Sequence, residues 1–254
     1  VTEPLHLTAL QGIPRIQAGD DLIEIIAAGL ERAGIDAQDG DALVVTSKIV
    51  SKAEARQIDV GSITPSDHAH ELAAITGKDP RIVELVLRES TEISRAAPNV
   101  LVVRHRLGFV SANAGIDQSN VDGDDKSALL LPLDPDASAA RICAGLKTLT
   151  GATMGIVISD SHGRPFRFGN VGVAIGVAGM PGLLDLRGKP DMFGRVLKIS
   201  MTGYADMVAS AAALLTGEGA EGLPVVHVRG LSHPSVDGRA VDLVRPPEQD
   251  LYRQ

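Results

Sequence analysis

Apolar positions follow two rhythms along this chain. Leu22, Ile25, Ile26, Leu30 and Ala33 recur roughly every three to four residues and predict a helix with one buried face, opened by Asp20 as N-cap and stopped at Gly34. Helices are also expected over 66–76, over 80–90, from a cap at Asp136 or Ser138 to about residue 149, and over the Ala-rich 202–215. Short unbroken apolar runs read instead as buried strands: Ala42 to Thr46, Met154 to Ile158 and Leu223 to Arg229. Shorter strands are expected after Leu5 and over 99–104, 109–111 and 128–131. Between Gly169 and Gly179, Val, Ala and Ile alternate with Gly, the pattern of a strand packed close against a neighbour. A chain of 254 residues allows one large domain or two intertwined smaller ones. After Arg245 two prolines and few apolar side chains read as a tail or linker over 246–254.

Composition narrows the classes of function. At 44% apolar residues the chain can bury a core, and with no Trp, two Tyr and four Phe that core is aliphatic. Stacking platforms for single-stranded nucleic acid are therefore not expected, and a net charge of −8 argues against nucleic acid or an anionic membrane as partner. Cys143 is the only cysteine, so neither a disulfide framework nor a thiolate metal cluster is expected. No apolar run reaches membrane-spanning length, and the opening residues do not read as a secretory leader. The expectation is a cytoplasmic protein.

Three polar stretches that follow apolar runs carry the candidate chemistry. Met154 to Ile158 ends in Ser159-Asp160-Ser161-His162-Gly163, read as a hydrophilic loop, with Arg164 and Arg167 behind it. A carboxylate suits a hard cation, and guanidinium forks suit phosphate or carboxylate; an ordinary strand-to-turn boundary has the same composition. Ala42 to Thr46 runs straight into Ser47-Lys48-Ile49-Val50-Ser51-Lys52, read as the strand continuing, whose hydroxyls and ammoniums suit a phosphate or are simply a solvated strand end. Asp117, Ser119 and Asn120 offer a carboxylate, a hydroxyl and an amide that could ligate a metal and a polar ligand, or form an Asx-rich turn.

Other patterns fail on context. Gly217 to Gly222 spells GxGxxG, but it follows a helix and precedes a strand, the reverse of a dinucleotide fingerprint. No GxxxxGK[ST] occurs, so no P-loop holds a nucleotide. Asp67 to Glu71 reads as a polar helix start rather than a metal site, because residues two apart on a helix do not face the same way. Asp160-Ser161-His162 is not a catalytic triad, since adjacent residues cannot easily make both bonds a triad needs.

Taken together and in order, the stretches 12–22 (GIPRIQAGDDL), 44–56 (VVTSKIVSKAEAR), 108–121 (GFVSANAGIDQSNV), 130–139 (LLPLDPDASA), 157–169 (VISDSHGRPFRFG), 185–195 (DLRGKPDMFGR) and 205–215 (ADMVASAAALL) closely resemble the F420-0:gamma-glutamyl ligase family. That family extends the glutamate tail of the deazaflavin coenzyme F420. The resemblance covers nearly the whole chain to about Arg245 and implies one ligase domain over 1–245. It implies an α+β fold of mixed sheets and helices, two intertwined subdomains with neither P-loop nor Rossmann fingerprint, and a homodimer. It also implies GTP as co-substrate, Mn²⁺ or Mg²⁺ at two sites, and K⁺.

Carried onto this chain, Ile13, Pro14, Arg15 and Ile16 fall on the family's first nucleotide segment, Ser47 and Lys52 on nucleotide-contacting positions, and Asn120 on a nucleotide-contacting amide. Asp117 and Asp160 fall on metal-ligating aspartates, and Ser161 stands where the family usually has a metal-ligating Thr. Ala55 replaces a frequent Gly, and Phe166 a frequent Trp. Some members carry a nitroreductase-like domain beyond a tail like 245–254, so the chain reads as a stand-alone enzyme or as the ligase half of such a fusion.

The implied reaction makes an amide: GTP phosphorylates the carboxylate of F420-0 and the amine of L-glutamate displaces phosphate. Lys52 and Asp160 are the catalytic candidates. Arg164 and Arg167 either clamp the acceptor or pin local carbonyls. The alternatives are a metal-dependent phosphohydrolase and a nucleotide-binding module without turnover.

Overall fold

Aliphatic strands such as Ala42 to Thr46 need cover on both faces, and the computed structural model provides it around one five-stranded sheet. Residues 4–118, 127–234 and 236–250 are described. The chain opens with β1 (His6–Ala9), α1 (Leu22–Arg32), β2 (Ala42–Thr46) and α2 (Ser47–Ala53). It then builds a second unit from β3 (Gln57–Asp59), α3 (Asp67–Thr76), α4 (Pro80–Arg88), β4 (Ser90–Ala97), β5 (Val100–His105), β6 (Val110–Ala112) and β7 (Ser127–Leu129). It returns through α5 (Pro135–Thr150), β8 (Gly155–Arg164), β9 (Arg167–Ala178), β10 (Leu183–Asp185), β11 (Met201–Gly203), α6 (Tyr204–Thr216) and β12 (Val225–Arg229). The architecture is α+β with mixed sheets.

The main sheet has the order β1-β12-β2-β8-β9, with β2 and β8 parallel and the other pairs antiparallel. Side chains alternate across it. Leu43, Val45, Ile156 and Ile158 pack on one face with Ile26, Leu30, Ile142 and Leu146 from α1 and α5. Val44, Val157 and Val177 pack on the other with Val208, Ala209 and Ala212 from α6. The glycines of β9 permit this closeness. A Cβ at Gly172 would lie 2.5 Å from the Ala209 carbonyl oxygen on α6, and one at Gly176 would lie 2.4 Å from the Pro135 carbonyl oxygen at the start of α5.

In the second unit the antiparallel sheet β4-β5-β6 lies under α3 and α4, with Leu72, Val83, Val86, Leu101 and Val103 in its core. Arg56 and Arg106 converge on the buried carboxylate of Glu89 (both 3.0 Å). The same guanidiniums donate to the carbonyls of Leu131, Pro132 and Leu133, so one cluster ties this unit to the segment that re-enters the main sheet.

Several expectations are corrected. Asp21, not Asp20, caps α1, while Asp20 accepts from the Gln17 N–H and closes the preceding turn. Asp134 caps α5, which frees Asp136 to accept from the N–H groups of Val177 and Ala240. β4 was not expected, because its half-exposed and largely polar residues carry no apolar rhythm. Ser47 to Ala53 is a short helix rather than a continuing strand. Asp160 to Arg164 is not a loop: it continues β8 and pairs with β9 to the tip of a hairpin.

Candidate active site

The parallel pairing of β2 with β8 sets Thr46 against Ser159, so the end of β2 lies beside the middle of β8. The next residue of each strand faces the other. The Ser47 hydroxyl, on the buried first residue of α2, donates to Asp160 Oδ1 at 3.0 Å. Asp160 Oδ2 lies 2.9 Å from His162 Nε2, because residues two apart on a strand share a face. The His162 ring packs against Phe109 (centroids 5.0 Å apart), which in turn stacks on His105 (5.0 Å, planes 6° apart).

The segment after β6 closes the site from the second unit. Asn113, Ala114 and Gly115 take left-handed conformations in succession (φ 52°, 53° and 67°), a strained path for the first two. The path presses backbone against the site. A Cβ at Gly115 would lie 2.7 Å from a Leu131 methyl and 3.4 Å from Asp160 Oδ2. Two residues on, Asp117 exchanges backbone hydrogen bonds with Leu129 and pairs with the Lys48 ammonium at 2.6 Å. Ser47 and Lys48, neighbours on α2, thus hold Asp160 and Asp117 respectively. Three stretches far apart in the chain converge on one polar cluster.

The donor set fits a hard divalent cation: two carboxylates and a hydroxyl, all oxygen. His162 stands beside Asp160, yet among the described residues no three His, Cys, Asp or Glu are arranged to hold a metal ion, so remaining ligands would come from solvent or substrate. The positive charge facing Asp117 in this structure is Lys48, which a cation there must share or displace.

The other candidates are placed as follows. Lys52 is half-buried in the last turn of α2, four residues from Lys48 and so on the same side of the helix. The segment carrying Ile13 to Ile16 buries Ile16, packs Ile13 against the Leu10 cluster and exposes Pro14 and Arg15. It reaches α2 where the Gly19 N–H donates to the Ala53 carbonyl, one residue past Lys52. Ser161 faces α6, opposite Asp160, and donates to Glu218 at 2.6 Å, so the structure does not bring its hydroxyl to the cluster. Arg164 and Arg167 flank the hairpin tip, at least four residues beyond Asp160, or about 13 Å along an extended strand. Arg164 donates to the Phe168 carbonyl at 3.1 Å, one of the two roles expected for it. Asn120, with Ser119, lies outside the described residues.

Two functional-looking groups escaped the sequence reading. His162 was set aside with the triad pattern, yet the Asp–His half of that pattern forms while Ser161 turns away. Its signal was spacing: residues 160 and 162 share a face once β8 is extended through them. The second group is Asp41. It is buried at the start of β2, held by His227 at 2.9 Å and by two nitrogens of Arg229 at 2.9 and 2.6 Å. Burial pushes its carboxyl up, and the hydrogen bonds from Arg229 and His227 outweigh burial and hold it below its ordinary value. It sits at the opposite end of β2 from Ser47 and staples β12 to β2 rather than serving the site.

Comparison with known proteins adds a second line of evidence. A family model for F420-0:gamma-glutamyl ligase matches residues 12–230. The chain is 45% identical over 251 residues to the coenzyme F420:L-glutamate ligase of Methanothermobacter thermautotrophicus, covering 98% of this chain and 99% of that protein. It is 43% identical over 256 residues to the protein of the same name from Halobacterium salinarum, covering 98% and 96%. With that of Methanocaldococcus jannaschii it shares 45% over 216 residues, covering 85% and 86%.

Proposed function

Because this chain belongs to the F420-0:gamma-glutamyl ligase family, we propose that it joins L-glutamate to coenzyme F420-0 by an amide bond at the expense of GTP. The observation that carries this reading is that neighbouring residues at the start of α2 hold two aspartates from distant stretches, Ser47 on Asp160 and Lys48 on Asp117. Hydroxide is a poor leaving group, so a carboxylate must be activated before an amine can replace its oxygen. A carboxylate oxygen of F420-0 attacks the γ-phosphorus of GTP, the bond to the β-phosphate oxygen breaks, and GDP leaves. The uncharged amine of glutamate then attacks the acyl carbon, inorganic phosphate leaves, and the nitrogen loses a proton to solvent.

In this reading Asp117, Asp160 and Ser47 hold Mn²⁺ or Mg²⁺, two ions being the family's implied number. Bound cations neutralise charge on the transferring phosphoryl group. Lys52, with Ser47 and the Ile13 to Ile16 segment, binds the nucleotide, and Asn120 does so from outside the described residues. Ser161, on the opposite face of β8 with its hydroxyl on Glu218, takes no part in this metal set. K⁺ belongs to the same proposal and is tested by replacing it with Na⁺.

We place Arg164 and Arg167 in a dimer contact rather than at the chain's own Asp160. Three of the four Phe sit almost fully exposed near them or on the loop after β10: Phe166 at 94%, Phe168 at 103% and Phe193 at 87%. Apolar surface of that kind marks an interface, and a second copy is the partner that the family resemblance implies. The guanidiniums then reach the acceptor in the partner's site.

Phosphate release tests the reading against its rivals. With GTP and Mn²⁺, a ligase releases phosphate only when both F420-0 and glutamate are present. A phosphohydrolase releases it without glutamate, and a binding module releases none.

A further inference from the structure

A cavity of about 450 Å³ runs along the free edge of β9, and no role assigned so far uses it. The turn between β5 and β6 forms one wall with Leu107 and Phe109, and the segment 239–245 forms the other with Val241 and Val244. Its size lies in the range of pockets that enclose small organic ligands, roughly 300–1,000 Å³. We propose that this cavity holds the flat deazaflavin ring of the acceptor, so that the acceptor's carboxylate emerges at Asp160. The proposal rests on the ligase reading and adds to it the location of the acceptor.

Continuity with the reaction site is the first argument. His162 lines the cavity, and its Nε2 is 2.9 Å from Asp160 Oδ2. The His162 side chain alone thus links the cavity to Asp160, close enough for a molecule seated in the cavity to present a carboxylate there. Chemistry is the second. The apolar part of the lining, Leu107, Phe109, Ile175, Val241 and Val244 among it, suits the faces of a planar ring, and charged side chains border it. Asp206 at the β9 side accepts the Ala174 N–H with Oδ1 and is placed to accept a ring N–H or hydroxyl as well. The guanidiniums of Arg239 and Arg245 lie on the cavity, where they can pair with the acceptor's own anionic groups.

GTP fits less well. None of the residues proposed for it, Ile13 to Ile16, Ser47 and Lys52, lines the cavity.

Hydrogen exchange on the full chain tests the placement without a variant. Adding F420-0 alone, with no GTP, should slow exchange at the amides of 107–110 and 240–244. Protection confined to other segments, or none at saturating F420-0, overturns the proposal. A second test is Val241→Trp, which fills the cavity from a half-exposed wall position. It should raise KM for F420-0 at least tenfold, leave KM for GTP within twofold, and keep the thermal midpoint. An unchanged KM for F420-0 in a folded Val241→Trp protein also overturns it. Failure of the ligase reading looks different: F420-0 would protect these segments while no glutamate is ever added.

Discussion

Asp160 stands between a hydroxyl and an imidazole, with the Gly115 backbone against its outer oxygen. Its charge therefore matters more than its volume. Asp160→Asn keeps the size and one acceptor, and is expected to lower kcat by at least about 100-fold, the scale seen when one transition-state electrostatic contact is lost. Circular dichroism and the melting temperature should stay near wild type; near-normal turnover at ordinary metal concentration would contradict the role. Ala55 offers a test in stability. It holds φ at 56° on an exposed position after α2. A left-handed L-residue costs roughly 1–2 kcal/mol, and glycine's extra chain entropy returns about half of that. Ala55→Gly should therefore stabilise the protein by about 0.5–1 kcal/mol in urea unfolding, and a destabilised variant would refute the strain. The sequence already marked Ala55 as a departure from a frequent Gly, but only the dihedral supplies the reason. Ser47, Asp117 and Asp160 were legible as candidates because each follows an apolar run or a small-residue turn. Their meeting was not, since it depends on the parallel register of β2 and β8.

At the scale of elements, the sequence read best where at least one face is buried. Helices α1, α3 and α6 carry a clear rhythm because one face packs inward, and β2 and β12 stand out as unbroken apolar runs because both their faces are covered. The outer half of the β8–β9 hairpin was mistaken for a loop, because beyond Ser159 the strand carries polar residues that alternate between exposed and half-buried and show no apolar pattern. β4 was lost for the same reason. The contact between units also left no pattern, being a charge cluster around Glu89 rather than an apolar seam. Burial pushes the Glu89 carboxyl up, but His105 at 3.5 Å and the guanidiniums of Arg106 and Arg56 outweigh burial and bring it to about 2 from 4.5. A depressed folded pKa gives stability that is fully present above about pH 4.5 and lost as pH falls toward about 2, worth on the order of 3 kcal/mol. Glu89→Gln leaves two guanidiniums uncompensated and should cost roughly 3 kcal/mol at pH 7. The gap between the two proteins in denaturant melts should narrow as pH is lowered from 4.5. A gap independent of pH would show that Glu89 is not the titrating link.

At the scale of the molecule, the aliphatic core and scarcity of aromatic residues were legible from composition, whereas the exposure of most of those Phe was not. Because Phe166 and Phe168 are exposed in one chain, replacing both by Ser should leave the fold intact and break the proposed dimer. Light scattering should give twice the 26.5 kDa chain mass for the wild type and the single mass for the double variant. A wild type that stays at the single mass at working concentration would remove the dimer. Among the described residues no helix is long and apolar enough to cross a membrane.

The claim on which the rest depends is glutamate transfer, and the mass of the acceptor after reaction tests it most directly. The chain is incubated with F420-0, L-glutamate, GTP and Mn²⁺, and the products are weighed by mass spectrometry beside an Asp160→Asn control. The expected product is F420 bearing one or more added glutamyl residues, formed with GDP and phosphate in equal amounts, and at least about 100-fold more slowly with the control. Unaltered F420-0 in the presence of a folded, GTP-binding wild-type chain would contradict it.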